Sequence, residues 1–277
     1  MLGQESQNNI IHFYQRVIDK TTLIRFTTDF TLRIFELFYK KQAETDDLNE
    51  NEEKESNKII RSIQASLFAD INKYIKEAQI HPEDVIEVTF ERDSSIPTVI
   101  LHREDEPTNA EYEDPSILLH VYFKQISWNE INEFRVFFVR YMTYYLTQFH
   151  GNDFKDVDSI SRNVSNVSYV VQELLQNANA YSADMHDYEL IFRYNVGAFD
   201  ITVRNFAERK NVEQLQSIVK EISDCENHEE LLLKYMLNEE KHLGLITSIY
   251  NYNISKYNVD YIDNKIVEIH FVIDTEF

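Results

Sequence analysis

The chain has 277 residues, a formal net charge of −21 and 43% hydrophobic residues, with 17 Tyr and 18 Phe. This length suffices for one large or two ordinary domains, and the apolar content is too high for a disordered chain. The acidic balance argues against nucleic-acid binding, which needs Lys and Arg to displace counterions from phosphates. We therefore expect a folded protein that meets a protein partner.

The single cysteine, Cys225, has no disulfide partner, and no Cys/His cluster has the spacing of a zinc site. The sequence also lacks a signal-peptide pattern and any apolar run of about 18 residues. We therefore expect a cytoplasmic protein that has no membrane segment. The four glycines are too few and too dispersed for a Rossmann fingerprint or a Walker A loop.

In the first half of the chain, apolar residues at helical spacing predict helices within residues 10–42 and 59–75. An acidic, polar run at 44–56 predicts a solvated loop between them. Short runs rich in β-branched and aromatic residues then predict three strands, at residues 85–90, 98–102 and 117–123. A capping-box pattern at 127–130 predicts the start of a long helix that ends near Gly151. Its aromatic stripe indicates a core or a dimer interface.

The second half begins with a helix from residue 159, whose apolar stripe runs from Val164 to Ala178. A turn containing Gly197 is expected between the two strands that follow. The elements predicted after the first helix are strands at 188–194 and 199–204, helices at 212–222 and 228–239, a helix from about 244 to 257, and strands at 259–262 and 266–273. This order predicts an α+β fold in which helices cover one face of a sheet.

The most informative stretch of the sequence is Glu173-Leu-Leu-Gln-Asn-Ala-Asn-Ala-Tyr-Ser182. On a helix, Glu173 and Asn177 are four residues apart and share a face, while Leu174, Leu175 and Ala178 face the core. This arrangement suits a helix whose polar edge lines a pocket. The alternative is an exposed Glu and a surface Asn on an ordinary amphipathic helix.

This stretch resembles the N box of the histidine-kinase-like (GHKL) ATPase superfamily. The resemblance implies that Glu173 orients or deprotonates an attacking water or hydroxyl group. It also implies that Asn177 coordinates the Mg²⁺ ion that bridges the phosphates of ATP.

A second segment, Val203-Arg-Asn-Phe-Ala207, lies where the superfamily has its first glycine box. By resemblance, Asn205 takes the place of the Asp that contacts adenine, while Ala207 and Arg209 replace the two glycines. The Asn side chain still offers a carbonyl acceptor for the adenine amino group. The alternative is that Asn205 is an ordinary turn residue at a strand end.

A third segment, Glu240-Lys-His-Leu-Gly-Leu245, lies where the second glycine box is expected. Only Gly244 and the two leucines match, and the missing glycines would normally let backbone N–H groups approach phosphate. Glu240 would repel phosphate, whereas Lys241 and His242 would partly compensate with positive charge. The alternative is that Gly244 is a turn and Lys241 is solvated.

Taken together, residues 159–277 resemble a divergent domain of this superfamily, similar to small bacterial SiaB-type regulators and anti-sigma-factor kinases. The resemblance implies an α/β sandwich with a mixed sheet, preceded by residues 1–158 as a region for dimerisation or sensing.

Two functions remain open from the sequence. The first is an ATP- and Mg²⁺-dependent serine/threonine kinase of the anti-sigma-factor type, acting on a partner that resemblance identifies as a STAS-type antagonist. The second is a non-catalytic pseudo-ATPase that serves as a protein-interaction module. A homodimer is compatible with either function.

Overall fold

The structure is a computed structural model that describes residues 9–16, 84–91, 98–102, 114, 116–123, 128–182, 188–225, 227–237 and 243–275, together with the single positions 58, 62, 65, 69 and 73. Its strands are β1 (Asn9–Arg16), β2 (Val85–Glu91), β3 (Thr98–His102), β4 (Ile117–Phe123), β5 (Tyr188–Asn195), β6 (Ala198–Phe206), β7 (Ile254–Ile262) and β8 (Ile266–Asp274). Its helices are α1 (Trp128–Phe149), α2 (Val157–Tyr181), α3 (Arg209–Asp224), α4 (His228–Leu237) and α5 (Leu243–Asn251), with a short 3₁₀ turn at Gly151–Asp153.

The described strands form one sheet in the order β3-β2-β1-β4-β5-β6-β8-β7. Every pair of neighbours in it is antiparallel, so the mixed sheet expected from the sequence is wrong for these strands. Tight turns join β5 to β6 and β7 to β8, and such turns connect only antiparallel strands. The broader prediction of an α+β fold is confirmed.

The N-terminal strand β1 corrects the prediction of a helix that begins at residue 10. In the backbone register, Ile11 of β1 lies opposite Phe123 of β4, and Phe13 lies opposite Val121. Because β1 pairs with β2 on one side and β4 on the other, sheet hydrogen bonding outweighs the local helical spacing. Residues 17–42 and 44–56 lie outside the described residues, whereas the described positions between 58 and 73 are helical and exposed.

The turns of the C-terminal half follow the sequence closely. Gly197 has a φ of 91° between β5 and β6, and Asp263 and Asn264 have φ values of 53° and 54° between β7 and β8. Two consecutive positive φ angles are typical of the turn that matches the twist of a hairpin. Helix α5 is shorter than predicted, because the residues from Ile254 onward pair with β8 instead.

Helix α2 carries the N-box residues, and its start is fixed by a capping box. The Ser159 N–H donates to Asp156 Oδ1 at 2.7 Å, and the Asp156 N–H donates to Ser159 Oγ at 3.3 Å. These bonds satisfy backbone donors that a helix start leaves free. The predicted apolar stripe of α2 is buried: Val164, Val167, Val171, Leu174, Leu175 and Ala178.

The core lies between the sheet and the helices and is rich in aromatic rings. The aromatic stripe of α1 belongs to this core, where Phe138 meets Phe192 of β5 edge to face with ring centroids 4.8 Å apart. The sheet and the core therefore continue across residue 158, while the division into 1–158 and 159–277 stays a prediction. None of the described helices is long and apolar enough to cross a membrane.

Candidate functional site

A cleft opens between helices α2, α3 and α5 and the ends of strands β6 and β8. Most of its wall is apolar, and its polar side chains are three asparagines and one tyrosine. The lining residues are Asn177, Ala178, Tyr181, Asn205, Ala207, Asn211, Val212, Leu215, Leu245, Val267 and Ile269.

This cleft brings together residues from the three sequence motifs. Asn177 comes from the N box on α2, and Asn205 comes from the end of β6. Leu245 follows Gly244 in the segment that resembles the second glycine box. Segments that are far apart in the sequence therefore contribute residues to one cleft.

Asn205 lines the cleft from the end of β6. It is 2% exposed and lies between Tyr188 of β5 and Val267 of β8 in the sheet register. Its side-chain amide donates to the Phe206 carbonyl at 3.1 Å. In this orientation the amide nitrogen has a protein partner, so the oxygen is the group that would accept a hydrogen bond from a ligand.

Glu173 lies beside the cleft, one helical turn before Asn177, and is not among its lining residues. Its half-buried side chain forms no hydrogen bond or ion pair with any described residue, and burial raises the pKa of its carboxyl group. The carboxylate lies against Gly244 at the beginning of α5, so closely that a Cβ built on Gly244 would overlap Glu173 Oε2. The structure thus brings these two predicted site residues together.

The remaining predicted site residues, Lys241 and His242, lie outside the described residues, as does Glu240. Their roles near phosphate therefore stay predictions. Two polar lining residues were missed by the sequence reasoning. Tyr181 follows Asn177 by four residues on α2, so helical spacing was enough to find it. Asn211 lies in the first turn of α3, before the predicted start of that helix, and no sequence signal marked it.

A second polar feature crosses the opposite face of the sheet. His120 Nε2 lies 2.6 Å from Glu189 Oε1, and these side chains are only 3% and 7% exposed. Arg204 extends the row, with contacts of 3.5 Å to Glu189 and 2.5 Å to Glu268. Within the described part of the chain, no group of three or more His, Cys, Asp or Glu residues is arranged to hold a metal ion.

We expect Glu189 to make the stability of the fold depend on pH. Burial acts to raise the pKa of this carboxyl, but interactions with His120 and Arg204 outweigh burial and hold the pKa below its usual value of 4.5. Its stabilising contribution is therefore complete above pH 4.5 and is lost as the pH falls through the lower folded-state pKa.

Chemical unfolding of the Glu189→Gln variant over an acid pH series tests this prediction. At neutral pH the variant should have a lower free energy of unfolding than the wild type. As the pH falls into the acid range, this free energy should decrease less in the variant than in the wild type. Glu213→Gln, at a side chain that is 61% exposed, serves as the control and should follow the wild type. Equal pH dependence in the wild type and Glu189→Gln would contradict the assignment.

No protein-family model matches the chain, and no curated protein matches it. Among solved structures, the chain is similar to the crystal structure of the SiaB–SiaC complex from Pseudomonas aeruginosa. The identity is 19% and the TM-score is 0.44, over 59% of this chain and 93% of that chain.

Proposed function

We propose that the cleft binds ATP with Mg²⁺ and that the protein is a bacterial signalling regulator that phosphorylates a partner protein on Ser or Thr. The observation that carries the proposal is that Asn177 and Asn205, assigned to the same nucleotide from separate motifs, line one cleft. Leu245, which follows Gly244 in the third motif, lines the same cleft.

The apolar wall and the Asn205 amide are suited to the adenine ring. Small-molecule sites combine apolar walls with a few polar groups, and this cleft has both. Adenine has two apolar faces and an exocyclic amino group that donates hydrogen bonds. The Asn205 carbonyl oxygen would accept from this amino group, while Val212, Leu215 and Ile269 would contact the ring.

The phosphates would extend from the base toward Asn177 and the beginning of α5. The Asn177 side chain supplies an amide oxygen, a hard ligand of the kind that Mg²⁺ prefers. The N–H groups at a helix start favour anions, and Gly244 lies in the first turn of α5. Lys241 and His242 directly precede α5 in the sequence, and we assign them to charge neutralisation at the phosphates.

Glu173 would act as the base. Because its carboxylate is half-buried and unpaired with described residues, burial raises the pKa of the group toward the range in which a base works efficiently. Phosphoryl transfer requires positioning and charge neutralisation more than covalent chemistry by the protein. The partner hydroxyl would lose its proton to Glu173, and resemblance points to a STAS-type antagonist as the partner.

One observation favours the second function, a non-catalytic interaction module. No basic side chain lines the cleft among the described residues, and the Glu173 carboxylate lies at the start of α5, where it would repel a phosphate. As an interaction module, the domain would keep the cleft but bind its protein partner without transferring phosphate.

Titration calorimetry of ATP with Mg²⁺ tests the proposed ligand. We expect wild-type protein to bind in the micromolar range and Asn177→Ala to bind about tenfold more weakly or worse, since a bond to a charged group contributes roughly 1.5 kcal/mol or more. Asn179→Ala is the matched control, because Asn179 is exposed on the same helix. No heat and no thermal stabilisation with millimolar ATP would overturn the proposal, and partner capture would then test the interaction module.

A further inference from the structure

Gly244 has no side chain, and the Glu173 carboxylate lies in the space that a side chain at this position would fill. We propose that Gly244 is a positioning residue for Glu173, because only glycine at this place lets the carboxylate lie against the first turn of α5 at the rim of the cleft. The functional meaning of this contact rests on the proposed role of Glu173 as the base.

The geometry of the two helices supports this role. An ideal Cβ on Gly244 would lie 2.7 Å from Glu173 Cδ and 3.4 Å from Oε1, in addition to overlapping Oε2. All three atoms belong to one carboxyl group, so the empty space at Gly244 is filled by the end of a single side chain. Gly151 provides the contrast, since a Cβ built there meets nothing within 4 Å.

A side chain at position 244 would therefore act on Glu173 first. The carboxyl group is the mobile end of a flexible side chain, so it would rotate away before the backbone of α5 or α2 had to move. Alanine is also a better helix former than glycine, so α5 should keep its structure. The substitution should thus move the base while the fold remains.

The surroundings of Glu173 provide two ways to detect this movement. Among the described residues, Tyr169 on α2 and Tyr252 just after α5 are titratable groups that interact electrostatically at this contact. Burial raises the pKa of Tyr252, and the neighbouring Tyr169 and Glu173 raise it further. If Glu173 moves into solvent, its own pKa should fall toward its usual value of 4.5, and the pKa of Tyr252 should fall as well.

Carbon-13 NMR titration of Glu- and Tyr-labelled protein tests the proposal, with Glu173→Gln used to assign the Glu173 carboxyl signal. In Gly244→Ala, the midpoints of Glu173 and Tyr252 should both lie below those of the wild type. The control Gly151→Ala should leave both midpoints unchanged. The proposal would be overturned if the titration midpoint of Glu173 in Gly244→Ala equalled that of the wild type. It would also be overturned if Gly151→Ala lowered the two midpoints as much as Gly244→Ala does.

Thermal unfolding supplies an independent test should Gly244→Ala prove poorly folded. Any loss of Tm that Gly244→Ala causes should disappear in a Glu173→Ala background, where the new Cβ has room. An equal loss of Tm in both backgrounds would overturn the proposal. None of these measurements uses nucleotide, so a failure of ATP to bind would count against the proposed function alone.

Discussion

Replacing Glu173 with Gln is expected to slow ATP turnover by about 10²- to 10⁴-fold, the usual contribution of a general base. Gln keeps the size of the side chain and its contact with Gly244 but cannot accept a proton. Affinity for ATP should stay within a few-fold of the wild type, or rise, because a negative charge near the phosphates is removed. The measurements are ATP hydrolysis under single-turnover conditions and calorimetric affinity on the same protein.

Glu230→Gln is the control for this experiment, since Glu230 is exposed on α4. Turnover that is unchanged in Glu173→Gln would show that Glu173 is not the base. A wild-type protein that binds ATP but shows no turnover and no transfer to a partner would instead favour the non-catalytic module.

Phe138→Ala is expected to destabilise the whole fold by about 3–5 kcal/mol, as large truncations in protein cores do. Phe138 on α1 is fully buried and packs edge to face against Phe192 of β5. Because the core continues across residue 158, this substitution before the predicted boundary should also weaken the part that carries the cleft. Urea unfolding followed by fluorescence and circular dichroism measures the loss.

The matched control is Phe149→Ala at the end of the same helix, where the ring is 37% exposed and a much smaller loss is expected. A loss below about 1 kcal/mol for Phe138→Ala would contradict the described core. Two separate unfolding transitions would instead indicate that the regions on either side of residue 158 fold independently.

The sequence predicted local structure well where the residue types of one short segment determine its conformation. The strand at 98–102 has the predicted ends, and the turn at Asp263 and Asn264 follows from residues that tolerate positive φ. The predictions for β1 and for the length of α5 were wrong, because both depend on pairing with strands distant in the sequence. Spacing along the chain carries no information about such partners.

The candidate site was predictable only in part, because its residues come from segments that are distant in the sequence. The motifs singled out Asn177 and Asn205, and the structure places both in one cleft. Asn211 joins them only because α3 begins next to the end of β6. The approach of Glu173 to Gly244 depends on how closely α2 and α5 pack, and that distance cannot be read from either segment.

We expect Asn177 and Asn205 to contact one nucleotide, and NMR of asparagine side-chain amides tests this contact most directly. During titration with ATP and Mg²⁺, the amide signals of both residues should shift and saturate with a single Kd, while the signal of exposed Asn179 stays in place. Their assignments follow from the corresponding alanine variants. Saturating ATP that leaves the Asn177 and Asn205 signals unmoved would contradict the account.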